Sequence, residues 1–259
     1  RGEDEELSFF LPRPVLRLMP WKEEGKGGYG EACRLASERK RQKRLGYIRA
    51  SRMAAYIEAA KAGASFGDAA NFGETSLRQR VNCRGAEPLP YYVGQFDFHA
   101  GAGLYLLAYV RHAEDADFLR ELLTWLGLSG IGGKRTSGFG KFHMAEDELV
   151  LDADGIYADD AALYELLHAE SAPWQMTIAP VVPTAEEIPH VKEGAYRLRR
   201  AGGFITAPAH AAEKKNSIYL VDTGSCLHTR IGGSLAELCT HDGHPVWRYG
   251  FGLYLGVTA

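Results

Sequence analysis

The segment LSGIGGKRTSGFGKFH, residues 128–143, constrains this chain more than any other, because five glycines and two adjacent cations fall between a helical pattern and a strand pattern. Gly130, Gly132, Gly133, Gly138 and Gly140 permit left-handed backbone and close approach to a ligand. Lys134 and Arg135 supply charge, and Thr136 and Ser137 supply hydroxyls, so the segment suits an anion such as phosphate. Two nucleotide-cofactor patterns are excluded by position. A Walker loop ending in Gly133-Lys134 needs glycine where Leu128 stands and Ser or Thr where Arg135 stands. A dinucleotide fingerprint begun at Gly130 and Gly132 needs a third glycine where Arg135 stands. A polynucleotide backbone then becomes the better ligand. The bland reading of the same residues is a flexible surface hairpin.

A chain of 259 residues with an ordinary apolar content can build one large domain or two modest ones. No apolar run nears the roughly 18 residues of a membrane span, and no signal or lipidation pattern appears, so no membrane is expected and the cytoplasm is the default location. Cys33, Cys83, Cys226 and Cys239 are scattered without a CxxC pair, which suggests reduced thiols rather than a zinc knuckle or disulfide framework. The net charge of −3 argues mildly against a free nucleic-acid binder, but the charge is uneven. Arg34, Arg39, Lys40, Arg41, Lys43, Arg44, Arg49 and Arg52 are opposed only by Glu38, whereas 114–121 and 146–160 are acidic. The basic run reads either as a binding face or as a solvated loop of charges.

Along the chain, GKGGYG at 25–30 reads as a loop and 51–62 as a helix, with Ser51 as N-cap and Gly63 as stop. Residues 64–90 read as an irregular excursion or protruding hairpin carrying Arg78, Arg80 and Arg84. YYVGQFDFH and GLYLLAYV, within 91–110, read as an antiparallel hairpin, with Tyr92, Phe96 and Phe98 on one face of its first strand. Phe118, Leu119, Leu122, Leu123 and Leu126 recur at helical spacing up to Gly127, and FGKFHM after the glycine loop reads as a short strand. This order fits the latter part of a βαββαβ unit. After Asp152 come a helix at 159–169 and strand-like blocks at 174–182, 196–206, 216–223 and 244–257. In the last, Trp247, Tyr249, Phe251, Leu253 and Leu255 alternate with Arg248, Gly250, Gly252, Tyr254 and Gly256, so one face is bulky and the other nearly bare. The expected architecture is α+β, two ferredoxin-like (RRM-like) units at 1–150 and 151–259, the second β-rich.

GIGGKRTSGFGKF, LPYYVGQFDFHAGAGLYLLA, NSIYLVDTGSCL, HPVWRYGFGLYLGV and FFLPRPVL together resemble the RAMP proteins of CRISPR effectors. Among these the resemblance is to the Csm-type subunit, fourth by number, of type III-A complexes. It implies a noncatalytic scaffold that holds the crRNA 5′ handle, contacts the large Cas-ten subunit and abuts the first backbone RAMP subunit. The equivalent type III-B subunit is a close alternative. The residues assigned to RNA are Gly130, Gly132, Gly133, Lys134, Arg135, Thr136, Ser137, Gly138 and Phe139 of the loop, Arg78 and Arg80, and Arg248, Gly250 and Gly252 on the bare strand face. The family's opening strand and first helix should precede FFLPRP, where only eight residues stand, which suggests an incomplete or abbreviated first domain.

The rival class is a RAMP endoribonuclease that processes crRNA precursors with a histidine acid or base. Candidates are His99, His143, His210, His228, His241 and His244, with His143 nearest the loop, but more than a hundred residues follow that loop. His241-Asp242 lacks a paired upstream histidine motif, and Ile156 breaks the calcium-loop pattern begun by Asp152 and Asp154. No G-x-S-x-G elbow is present. No catalytic residue, metal or cofactor is therefore assigned. SGFGKF also fails the RRM signature, with Ser137 at the leading cation and Lys141 at an aromatic position.

Overall fold

The computed structural model describes residues 7–16, 28–67, 70–83, 87–145, 149–205 and 213–258. In chain order the elements are β1 (Phe10–Pro12), α1 (Tyr29–Arg44), β2 (Tyr47–Arg49), α2 (Met53–Ala62), β3 (Gly73–Asn82), β4 (Leu89–Phe98), α3 (Ala113–Ser129), α4 (Ala158–His168), β5 (Trp174–Thr177), α5 (Ile188–Glu193), β6 (Leu198–Phe204), β7 (Lys214–Val221), β8 (Cys226–Leu227), β9 (Ala236–His241), β10 (His244–Arg248) and β11 (Tyr254–Val257). The fold is α+β, with small antiparallel sheets. It divides into one unit of Arg1–Ala70 with Leu151–Ala259 and another of Asn71–Val150. The sequence reading divides the chain once, into 1–150 and 151–259, whereas by contact the residues before 71 group with those after 150.

A buried carboxylate ties together the two stretches of the first unit. Asp159, in the first turn of α4, accepts hydrogen bonds from the Phe9 N–H at 2.8 Å, Arg49 Nε at 2.9 Å and the Ser51 N–H at 2.9 Å. Val15 also bridges Ser225. The Ser51 side chain does not cap α2. A 3-10 turn over Ala50–Arg52 leads in, and the helix starts behind Arg52. Gly63 ends it in the left-handed region at φ 62°, as the sequence predicts. The sheet of this unit runs β11-β5-β8, with Gln175, Met176 and Thr177 of the central strand all buried. Val181, Val191, Val221, Leu227, Ile231 and Tyr254 pack as one cluster. Full burial stabilises each such aliphatic side chain by about 1.5–3 kcal/mol. The Gln175 amide donates to the Ala169, Glu170 and Ala172 carbonyls at 3.0–3.1 Å, fastening the end of α4 to β5.

Most of the basic run, from Arg34 to Arg44, belongs to α1 rather than to a loop, while Arg49 lies in β2 and Arg52 in the 3-10 turn. Sixteen residues follow Gly28, and only Gly30 among them breaks helix propensity. The buried Gln42 anchors the helix by donating to the Ala64 carbonyl at 2.5 Å.

In the second unit β3 and β4 form the hairpin, in register from Gly73↔Phe98 to Asn82↔Leu89. The strands expected over 103–110 and after the glycine loop are irregular. The reason is pairing: β4 takes its partner from the preceding segment. α3 runs past Gly127, because that glycine is buried against the Phe142 carbonyl and does not cap. Phe118, Leu122 and Leu126 of its apolar stripe are exposed within this unit.

Candidate nucleic-acid interface

α3 ends at Gly130 with φ 80°, and the loop that follows closes on itself. The Ile131 N–H donates to the Gly140 carbonyl at 2.9 Å, and a Cβ on Gly140 would collide with the Ile131 carbonyl oxygen. That approach requires glycine. Between these ends Lys134 takes φ 57°, unusual for a residue with a side chain, and initiates a 3-10 turn over Arg135–Ser137. The Ser137, Gly138 and Phe139 N–H groups turn inward to the Lys134 and Arg135 carbonyls. Among the described residues, the amides of Gly132, Gly133, Lys134 and Arg135 donate to no backbone carbonyl. Successive amides without a backbone acceptor, beside a cation at positive φ, are the elements of which backbone anion sites are built.

The hairpin meets this loop through two crossed pairs. Arg80 and Tyr91 are cross-strand partners, so their side chains share a face. The Arg80 guanidinium lies 4.7 Å from the Phe139 ring centroid, and Lys134 Nζ lies 4.9 Å from that of Tyr91. Each hairpin residue holds one loop residue, with a cation on one side of one pair and on the other side of the other. Such contacts contribute about 0.5–1 kcal/mol each at exposed sites. Arg78 lies two residues along the same face and is exposed, beside a network in which Ser76 and Gln95 donate to Asp97. These hydrogen bonds, with Arg78 as a smaller cause, hold the Asp97 carboxyl below its ordinary value.

The structure therefore brings Lys134, Phe139 and Arg80 together and leaves Arg135, Ser137, Gly138 and Arg78 exposed around them. Arg84 lies outside the described residues. Tyr91 was missed in the sequence; its signal is the ten-residue register that sets it opposite Arg80. Tyr92, Phe96 and Phe98 do share the opposite, exposed face.

The bare strand face at the C-terminus needs correction. The strand breaks between β10 and β11, and Trp247, Tyr249 and Phe251 are exposed rather than core. Gly250 is buried: a Cβ there would strike the Val182 side chain and sit 2.8 Å from the Ser234 carbonyl oxygen. A Cβ on Gly252 would run into the Tyr254 ring. Internal packing explains both glycines, and Arg248 is half-buried in the same segment.

The histidines do not converge. His241 is held by Glu213 at 2.7 Å, His228 stacks on Trp174, and His143 is exposed, while His210 lies outside the described residues. Among the described residues no His, Cys, Asp and Glu cluster is suited to a metal, and no helix is long and apolar enough to cross a membrane.

Residues 170–257 match the family model of the CRISPR Csm4 C-terminal domain. The chain is 29% identical over 226 residues to a CRISPR system Csm4 protein of Mycobacterium tuberculosis (strain H37Rv), covering 85% of this chain and 70% of that protein. To the Streptococcus thermophilus protein it is 28% identical over 163 residues, 61% of this chain and 49% of the relative. The fold resembles a chain of a Csm1-Csm4 cassette solved with cA4, at TM-score 0.56, 17% identity, 98% of this chain and 75% of that one. It also resembles a chain of the Csm3-Csm4 subcomplex of the type III-A interference complex, at TM-score 0.54, 12% identity, 97% of this chain and 80% of that one.

Proposed function

We propose, for a chain that is a Csm4-type RAMP subunit of a type III-A CRISPR system, that it is a noncatalytic scaffold holding the crRNA 5′ handle on the closed glycine loop. The observation that carries this reading is the pair of crossed contacts, Arg80 with Phe139 and Lys134 with Tyr91. They set aromatic rings and cations together beside the loop, and aromatic stacking with cation contact is how single-stranded RNA is bound. Its partners are the large Cas-ten subunit and the first backbone RAMP subunit. This is supported by the Csm1-Csm4 and Csm3-Csm4 assemblies in which the similar chains were solved. The two ferredoxin-like units are likewise proposed, on the fold likeness and on the helix-loop order of residues 113–142.

The test is a salt titration of RNA binding. Lys134→Ala with Arg135→Ala should weaken binding to handle RNA and reduce the slope of log K against log salt by about 0.7 for each lost phosphate contact. An unchanged slope removes the loop from the RNA site.

A further inference from the structure

At about 100° per residue the apolar side chains of α3 fall into two groups. Ala116, Leu119, Leu123 and Gly127 recur on one side and are half-buried or buried. Gly127 meets the Phe142 carbonyl so closely that a Cβ would strike its oxygen, so this is the side on which the helix packs within its own unit. Phe118, Leu122 and Trp125 stand within about 60° of one another on another side. They are 62%, 48% and 63% exposed. Acids rim this second group. Glu114 and Glu121 flank it along one edge and Asp115 along the other, with Asp117 further round. The Trp125 Nε1 donates to Glu121 Oε1 at 3.5 Å, so the rim touches the stripe. The only cation of α3, Arg120, lies about 160° round from Phe118 and pairs with Asp117. Arg111 stands ahead of the first turn.

A contiguous exposed apolar stripe with a polar rim marks a contact surface. Here the acids choose the occupant. RNA phosphates and anionic lipid would face Glu114, Asp115 and Glu121 and be repelled. A second copy offering the same face would set acid against acid. A cationic amphipathic helix fits both parts of the surface: its apolar residues, one turn apart, cover Phe118, Leu122 and Trp125, and its flanking Lys or Arg meet the carboxylates. We infer that this outward face of α3 docks a cationic amphipathic helix of a protein partner. Phe118 and Trp125 are the anchors, because large aromatic side chains at a desolvated centre carry most of the free energy of such an interface. The rim carboxylates set the sign of the partner and the rate of encounter. The 17 residues of α3 span about 25 Å, room for about four turns of a partner helix.

The probe is a synthetic helix of about 14 residues with leucines along one face and lysines beside them; a control peptide carries glutamate in place of every lysine. RNA is absent from every arm, so the outcome is independent of what the glycine loop holds. Calorimetry of the full chain should show the lysine peptide binding at least about tenfold more tightly than the glutamate peptide, with an affinity that falls as salt rises. Tryptophan emission should shift to shorter wavelength on binding, and Trp125→Phe should abolish that shift. Phe118→Gln with Leu122→Gln keeps helix propensity at exposed positions, so circular dichroism should stay parental while affinity for the lysine peptide falls about tenfold or more. Glu114→Gln with Glu121→Gln should weaken binding several-fold and reduce its salt dependence. Equal affinity for the two peptides overturns the proposal, as does parental affinity in the Phe118, Leu122 variant. An emission shift that survives in Trp125→Phe places the peptide elsewhere and also overturns it. So does self-association of the parent in sedimentation that the Phe118, Leu122 variant abolishes, which would make a second copy the occupant. If that variant misfolds, the Glu114, Glu121 variant decides, and parental affinity there overturns the proposal.

Discussion

Glu187 fills an anion nest with the chain's own carboxylate. Its Oε1 accepts from the Gly232 N–H at 2.7 Å and the Gly233 N–H at 3.2 Å, while Oε2 accepts from the Thr184 N–H at 2.9 Å. This closes the segment that leads from Ile231, a core residue, back toward Gly250. Hydrogen bonds to a charged group contribute about 1.5–3 kcal/mol, so Glu187→Ala should destabilise the first unit by about that much, read as a lower urea midpoint. A parental midpoint would mean that water serves these amides as well as the carboxylate does. Cys226 carries a pH dependence of its own. Burial in the β8 strand pushes its thiol up to about 12, from an ordinary value near 9. The folded chain therefore holds this proton more tightly than the unfolded chain. The associated stability is complete below about pH 9 and is lost progressively as pH rises toward 12. Cys226→Ala should flatten that alkaline loss, at the cost of a small cavity, and a fall in urea midpoint between pH 9 and 10.5 as steep as the parent's would refute the assignment.

At the scale of elements, the irregular link between β10 and β11 is set by contact rather than by propensity. Gly250 has an ordinary backbone, so its requirement is purely steric. Gly250→Ala should overpack against Val182 and cost about 1–3 kcal/mol, measurable by thermal unfolding. A neutral substitution would show that the segment can yield. The alternation of residues 247–255 looks like a strand because period-two apolar spacing is the local signal there; the neighbours packed against Gly250, Val182 and Ser234, are far away in sequence. The same limitation hid α1, whose charges mask an amphipathic helix anchored by one buried glutamine. α4, β6 and β7 were legible because their patterns are local. So was the glycine loop, since its turns demand glycine wherever the chain later packs. Tyr91 was illegible, because it joins the loop only through pairing with Arg80.

The partition of the whole chain into two units turns on residues remote in sequence, and Asp159 offers a handle on it. Its carboxylate joins the N-terminal strand segment to α4, and the neighbouring bridge from Val15 to Ser225 lies beside Cys226. Loss of the carboxylate should let the N-terminal segment separate from the sheet. That opening is readable without unfolding the protein, because Cys33 and Cys83 are exposed and Cys226 is buried. In the parent a neutral thiol reagent should modify Cys33 and Cys83 quickly, and Cys226 only through transient opening, at a rate set by the population of the open state. In Asp159→Asn at least one charged hydrogen bond is weakened, worth about 1.5–3 kcal/mol. Since about 1.4 kcal/mol is tenfold in an equilibrium, Cys226 should react at least about tenfold faster while Cys33 and Cys83 keep parental rates. Unchanged protection of Cys226 would show that the first unit is held by its sheet core alone, with the Asp159 node only decorating a contact made elsewhere.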